Sequence, residues 1–155
     1  MKIVVKLILG FLAATLITVY VNAVAPLSAF LVLSDVVGVM RSIAGDFVNR
    51  EMKIDITSKE WLEKIKYLKT RDAQAIYEIE KTSTTEKEKV ILEKLKKARA
   101  DFLNAFDREL EALARGNHDA ALNIYKNEVF QLSENYSGYV LEMGNLKIEL
   151  ARNTF

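Results

Sequence analysis

The residues with chemical potential in this chain are few. Its one histidine, His118, stands beside Asp119 in "GNHDAALNIYKNEVF", Gly116–Phe130. An imidazole next to a carboxylate suggests general-base or metal chemistry, but no nucleophile at a recognisable spacing completes a triad. A di-iron bundle needs Glu-x-x-His on two helices, which one histidine cannot supply. There is no cysteine, no glycine-rich phosphate loop, no HExxH and no GxSxG. No catalytic residue, metal site or cofactor is therefore expected. The remaining candidates are binding groups. Arg41 is a cation beside an apolar seam, and it falls roughly level with Lys69, Arg71 and Gln131. Such a layer suits a small carboxylate, because a guanidinium offers a bidentate fork. The alternative for Arg41 is an exposed head group or a pair with Asp72. Tyr125, Tyr136 and Tyr139 share an inner stripe. They either pack in a core with hydroxyls at its rim or line a pocket between helices. Arg41, Arg71 and Tyr136 are the candidate ligand-binding residues.

The elements that must position these groups follow from composition and periodicity. The chain has 155 residues, one proline, six glycines and a net charge of +1. Sparse punctuation with abundant Leu, Ala, Lys and Glu favours long helices. A net charge near zero gives no reason to expect nucleic acid. No charged side chain occurs between Lys6 and Asp35. Residues 1–25 are therefore expected to form an N-terminal transmembrane anchor, with Lys2 and Lys6 favouring a cytoplasmic start. A cleaved signal ending at "AVA" is the rival, but Pro26 directly after the cut makes a poor substrate.

From Pro26 onward four helices are expected. The first covers about 27–52, with a seam of Leu33, Val36, Met40, Ile43 and Phe47. The second covers about 58–81, with Trp61, Ile65, Leu68, Ile76 and Ile79 inside and Asp72 as a polar intrusion. Thr57 and Glu60 have the form of a capping box before it. The third covers about 85–115, opened by Ser83/Glu86 or Thr85/Glu88. Its inner face reads Ile91, Leu95, Ala98, Phe102, Phe106, Leu110 and Leu113, and its charged residues read as a solvated face. "ARGNHD" reads as a corner: Arg115 in a last turn, Gly116 as left-handed stop, Asn117 as N-cap and His118 exposed. The fourth helix carries Leu122, Tyr125, Val129, Leu132, Tyr136, Tyr139, Met143, Leu146 and Leu150, a three-four alternation without a slip. Short corners make neighbours antiparallel. The expected fold is all-α: an up-down-up-down antiparallel four-helix bundle over 26–155, its first helix continuous with the anchor.

Two stretches carry a family resemblance: "AVAPLSAFLVLSDVVGVMRSIAGDFV" after the apolar segment, and "FDRELEALARGNHDAALNIYKNEVFQLSENYSGYVLEMGNLKIE" near the end. Together they resemble the four-helix-bundle sensor domain of methyl-accepting chemotaxis receptors, over nearly the whole chain. The resemblance implies a sensor domain outside the inner membrane that pairs as a homodimer through its first helix. It implies a small solute or a solute-binding protein as ligand, and a small displacement of the last helix as output. In such receptors a second span, a HAMP module and a signalling coiled coil follow. The present sequence reaches Phe155 about where the second span would begin. Arg41 best matches, by location, the arginines that bind organic acids or amino acids in the family. A membrane-anchored adaptor that binds a protein partner without sensing is the alternative.

Overall fold

The computed structural model describes residues 25–49 and 54–153. Helix α1 spans Ala25–Val48, α2 Lys59–Thr82, and α3 Glu86–Ala114. A fourth rod follows, made of α4 (His118–Ile124), a π-helical turn (Tyr125–Val129) and α5 (Phe130–Asn153). The arrangement is the expected all-α four-helix bundle. The expected anchor falls on residues 1–25, and all but its last residue lies outside the described part, as do positions 50–52 of the expected first helix. Within the described part, Leu27–Val48 is long and apolar enough to cross a membrane by length and composition, with a mean hydropathy of 1.7. Its seam residues Leu33, Val36, Met40, Ile43 and Phe47 are all buried against the other helices. It is therefore also the bundle's central apolar helix.

The corners show why the chain turns where it does. Ser58, rather than Thr57, caps α2, its side chain accepting from the Trp61 N–H at 3.5 Å. Thr57 turns instead to Asp55, donating both its N–H (2.9 Å) and its hydroxyl (2.6 Å) to that carboxylate. Both halves of the Thr85/Glu88 capping box form at the start of α3. Ser83 serves the preceding helix instead, its hydroxyl donating to the Ile79 carbonyl at the end of α2 (2.7 Å). After α3, Gly116 takes φ +73°. The Gly116 N–H donates to Leu113 (2.8 Å) and the Asn117 N–H to Ala112 (2.9 Å), the paired bonds of a Schellman stop. Asn117 then accepts from the Ala120 N–H (3.1 Å). His118 is exposed, as its place in the corner requires.

The walls of the bundle are unequal. Helix α1 lies close against both α2 and α5, and α3 lies close against the fourth rod. Helices α2 and α3 approach closely at few positions. That seam is bridged by long ionic side chains: Lys69 to Asp107, Arg99 to Asp72, and Lys96 to Glu80.

The fourth rod departs from its expected regularity. Its deepest residues are Ala121, Val129, Ser133, Tyr136, Val140 and Met143, with Leu122, Leu132 and Tyr139 only partly buried. Ala121 and Val129 are eight residues apart, which in an uninterrupted α-helix places them about 80° apart around the axis. The π-turn absorbs one residue, marked by the Phe130 N–H bonding to the Tyr125 carbonyl five residues back. Both residues then face the core. Tyr125, inside this turn, lies against Gly45 of α1, where an added Cβ would stand 2.8 Å from its hydroxyl oxygen and 3.2 Å from Cζ. Gly45→Ala is therefore expected to destabilise the bundle by about 1–3 kcal/mol. Adding Tyr125→Phe should recover part of that loss, as measured by denaturant unfolding of the two variants.

Candidate functional site

The three residues singled out by sequence go to three different places. Arg41 extends from α1 to α5. Its guanidinium pairs with Glu134 and lies 5.7 Å from the Phe130 ring centre. Arg71 extends from α2 back towards α1, 3.9 Å from Asp35, with its guanidinium 5.7 Å from the Tyr67 ring centre. Tyr136 of α5 is fully buried. Of the residues expected level with Arg41, Lys69 bonds across the α2–α3 seam to Asp107. Arg71 lines a groove that Arg41 and Tyr136 do not border.

Arg71 is the one that borders a cleft. A groove of about 390 Å³ runs between α1 and α2, lined by Ser28, Ala29, Val32, Arg71, Gln74, Ala75 and Glu78. Alanines at 29 and 75 keep its floor low, because a larger side chain at either would fill it. Arg71 and Gln74 supply donors suited to a carboxylate, and Glu78 puts an acidic group at the same cleft. Arg71 is about one-third exposed and its contact with Asp35 is long, so an incoming anion can replace that partner at little cost. A second groove, of about 280 Å³, opens at the far end of the α2–α3 seam among Ile56, Leu62, Ile65, Leu110 and Ala114, and it is almost wholly apolar.

Tyr136 belongs instead to a buried polar link that joins three helices. Its hydroxyl donates to Asp72 Oδ1 of α2 at 2.6 Å. The other Asp72 oxygen accepts from Arg99 Nε of α3. Asp72 is 1% exposed, so an unpaired carboxylate there would cost several kcal/mol, and both oxygens are in fact engaged. Burial and the Asp72 charge push ionisation of the Tyr136 phenol well above the ordinary tyrosine range, which keeps it a neutral donor. Its ring also lies 6.1 Å from Phe102. The sequence marks Asp72 as a polar intrusion and suggests Arg41 as its partner. The partner is instead Arg99, from the charged run expected to be solvated.

A similar tie closes the opposite end of the last helix. Lys147 of α5 pairs with Glu88 and donates to the Thr82 carbonyl. Glu88 also accepts from the Thr84 and Thr85 N–H groups, at 3.0 and 2.7 Å. Burial alone would raise the pKa of Glu88, but Lys147 and the Thr85 donors outweigh it and hold the carboxyl below the usual range. The α2–α3 corner and the end of α5 are thus held together.

One buried acid of the core is missing from the sequence expectation altogether. Glu109 is fully buried, although the expected stripe has Leu110 in its place. The spacing Phe102, Phe106, Glu109, Leu113 alternates four, three, four, and that is the available signal. Among the described residues no cluster of three or more His, Asp or Glu side chains could hold a metal ion.

A family model described as a four helix bundle sensory module for signal transduction matches residues 49–154. No curated protein matches the chain, and no solved structure does.

The buried link generates a direct test. Tyr136→Phe is expected to destabilise the fold by about 1–3 kcal/mol, leaving one Asp72 oxygen without its donor. In a double-mutant cycle with Arg99→Met, the two changes should be non-additive by about 0.5–3 kcal/mol, since both groups serve one carboxylate. Denaturant unfolding of the four chains measures this.

Proposed function

The chain belongs to the family of four-helix bundle sensory modules for signal transduction, and from that premise we propose that it binds a small anionic solute and passes the event on as a displacement of its last helix. The family is a sensory module and not a catalytic domain. Membership bears out the resemblance to chemotaxis-receptor sensors drawn from the two sequence stretches. With its apolar N-terminal helix, the chain fits an inner-membrane protein with a single span.

In the proposed reading the bundle lies on the periplasmic side, carried by the segment before α1. The observation that supports solute binding is the α1–α2 groove with Arg71 at its rim. An organic acid or an amino acid places its carboxylate on Arg71, displaces Asp35, and draws α2 and α1 together. Arg41 is the second proposed anion-binding position, reached if a ligand competes with Glu134. Tyr136 contributes indirectly, because it holds α5 to the helix that carries Arg71.

Modules of this family are typically dimeric and membrane-associated. A homodimer through α1 is the proposed assembly. Leu27 and Leu31 lie one turn apart on α1 and stay exposed, Leu31 by 73%. Gly38 further along presents open space beside its backbone, which lets a second helix come close. The same exposed leucines support the second reading, an anchored adaptor whose partner is another protein rather than a solute.

A thermal-shift screen of the full chain with organic acids and amino acids separates these readings. A true ligand at about a hundred times its Kd should raise Tm by roughly 5–10 °C. Arg71→Ala should abolish that shift while moving the ligand-free Tm little, because the Asp35 contact is exposed and weak. A ligand that shifts both chains equally would remove Arg71 from the site. A screen in which no solute acts would favour the adaptor.

A further inference from the structure

Glu109 is fully buried near the C-terminal end of α3, and neither carboxyl oxygen has a hydrogen-bond partner among the described residues. A buried acid normally has donors, as Asp72 and Glu88 do here. Without them the charged form is strongly disfavoured. Burial alone pushes the Glu109 pKa to about 8.

Its position in the bundle can be read from the ties around it. Arg108, the preceding residue, pairs with Glu128 inside the π-turn. Asp107 pairs with Lys69 of α2. Tyr125 of the same π-turn rests on Gly45 of α1. Glu109 therefore enters the core at the level of the π-turn. The charged and titratable groups of that level are Asp46 on α1, Lys66 and Lys69 on α2, Asp107 and Arg108 on α3, and Tyr125, Lys126 and Glu128 on the π-turn. Lys69 and Arg108 are already paired with surface carboxylates, and Lys66 and Lys126 are exposed. The cause of the Glu109 shift is burial.

The π-turn is the part of this layer best able to yield. It stores one extra residue in the fourth rod. Resolving it into α-helix, or moving it along the rod, shifts the following segment by about 1.5 Å per residue and rotates it by about 100°. We propose that Glu109 and the π-turn together form a proton-operated switch on the last helix. With its proton, Glu109 is compatible with the dry core and the π-turn keeps its place. When the proton passes to base in solvent, the carboxylate requires water or N–H and O–H donors. The π-turn rearranges to admit them, and α5 moves against α1 and α3. The ligand of this site is the proton, and the signal is alkaline pH.

The switch rests on the reading of the last helix as the output element, but its test uses no solute. A failed solute screen and a failed pH response are thus separate results. The measurement is amide hydrogen exchange of the full chain in lipid nanodiscs from about pH 6 to 10, corrected for the intrinsic pH dependence of exchange. In the wild type, protection of the amides from Tyr125 to Phe130 should fall about tenfold or more as pH passes about 8. Glu109→Gln, which cannot titrate, should show no such fall, and neither should Glu109→Leu, which suits the apolar surroundings should Gln not be tolerated there.

Global stability supplies the second readout. The folded-state pKa lies above the ordinary value of 4.5, so the folded chain holds this proton more tightly than the unfolded chain. The resulting stability is full below pH 4.5 and is lost as pH rises through about 8. Between those values the unfolding constant should rise about tenfold per pH unit in the wild type relative to Glu109→Leu. Equal pH profiles in wild type and both variants, or wild-type protection that stays flat through about pH 8, would overturn the proposal.

Discussion

A carboxylate inside a helical bundle must be paired, and Asp72 is where this molecule meets that demand. Its two oxygens take one partner from α3 and one from α5. Apolar contacts alone tolerate some sliding of one helix along another, because leucine and isoleucine stripes offer several nearly equal packings. A hydrogen bond of 2.6 Å to a buried acid does not. The link therefore sets the height of three helices relative to one another. It also compensates for the wall between α2 and α3, which is held by ionic bridges more than by close backbone approach. Whether such a link adds net stability over an apolar replacement is a separate matter, since desolvation offsets much of the Coulomb gain. Its clear contribution is to make one register cheaper than its neighbours.

The same rule gives meaning to Glu88 and Glu109. Glu88 is nearly as buried as Asp72, and it is supplied with donors from its own cap and from Lys147. Its charge is consequently favoured. Glu109 is equally buried and supplied with none among the described residues, and its charge is disfavoured. Three acids of one bundle are thus buried to a similar degree and differ in the donors that reach them. Two of them tie helix ends and helix heights together. The third lies beside the turn where the fourth rod is irregular.

Much of the fold is legible in the sequence because its determinants are local. Each residue of "ARGNHD" has a short-range reason for its place, and the corner forms with Gly116 at positive φ and Asn117 as cap. The Thr85/Glu88 box is equally local. Ion-pair choice is not. Arg41 and Arg99 are both cations beside apolar stripes, and only the azimuth of each helix decides that one meets Glu134 and the other Asp72. The π-turn is hidden for a related reason. A three-four alternation such as Leu122, Tyr125, Val129, Leu132 describes a face only if every turn has the same number of residues. One wider turn leaves the letters unchanged while moving the buried line from Leu122 and Leu132 to Ala121 and Ser133.

The placement of rigid and yielding parts bears on how such a module can transmit anything. A signal needs two packings of similar energy, and a bundle locked at every layer has one. Here the last helix is fixed at Tyr136 by Asp72 and at Lys147 by Glu88. Between the α3–α4 corner and Tyr136 its ionic ties to the other helices are exposed pairs, Arg108 to Glu128 and Arg41 to Glu134, which cost little to break. The π-turn lies in this stretch. A displacement that begins there reaches α5 with the Tyr136 and Lys147 ties still closed only if α2 and the α2–α3 corner move with it. The groove that holds Arg71 is lined by α1 and this same α2. In the proposed reading, occupancy of the groove and movement of the last helix are joined through Asp72, the residue next to Arg71 in the chain, without any direct contact between solute and α5.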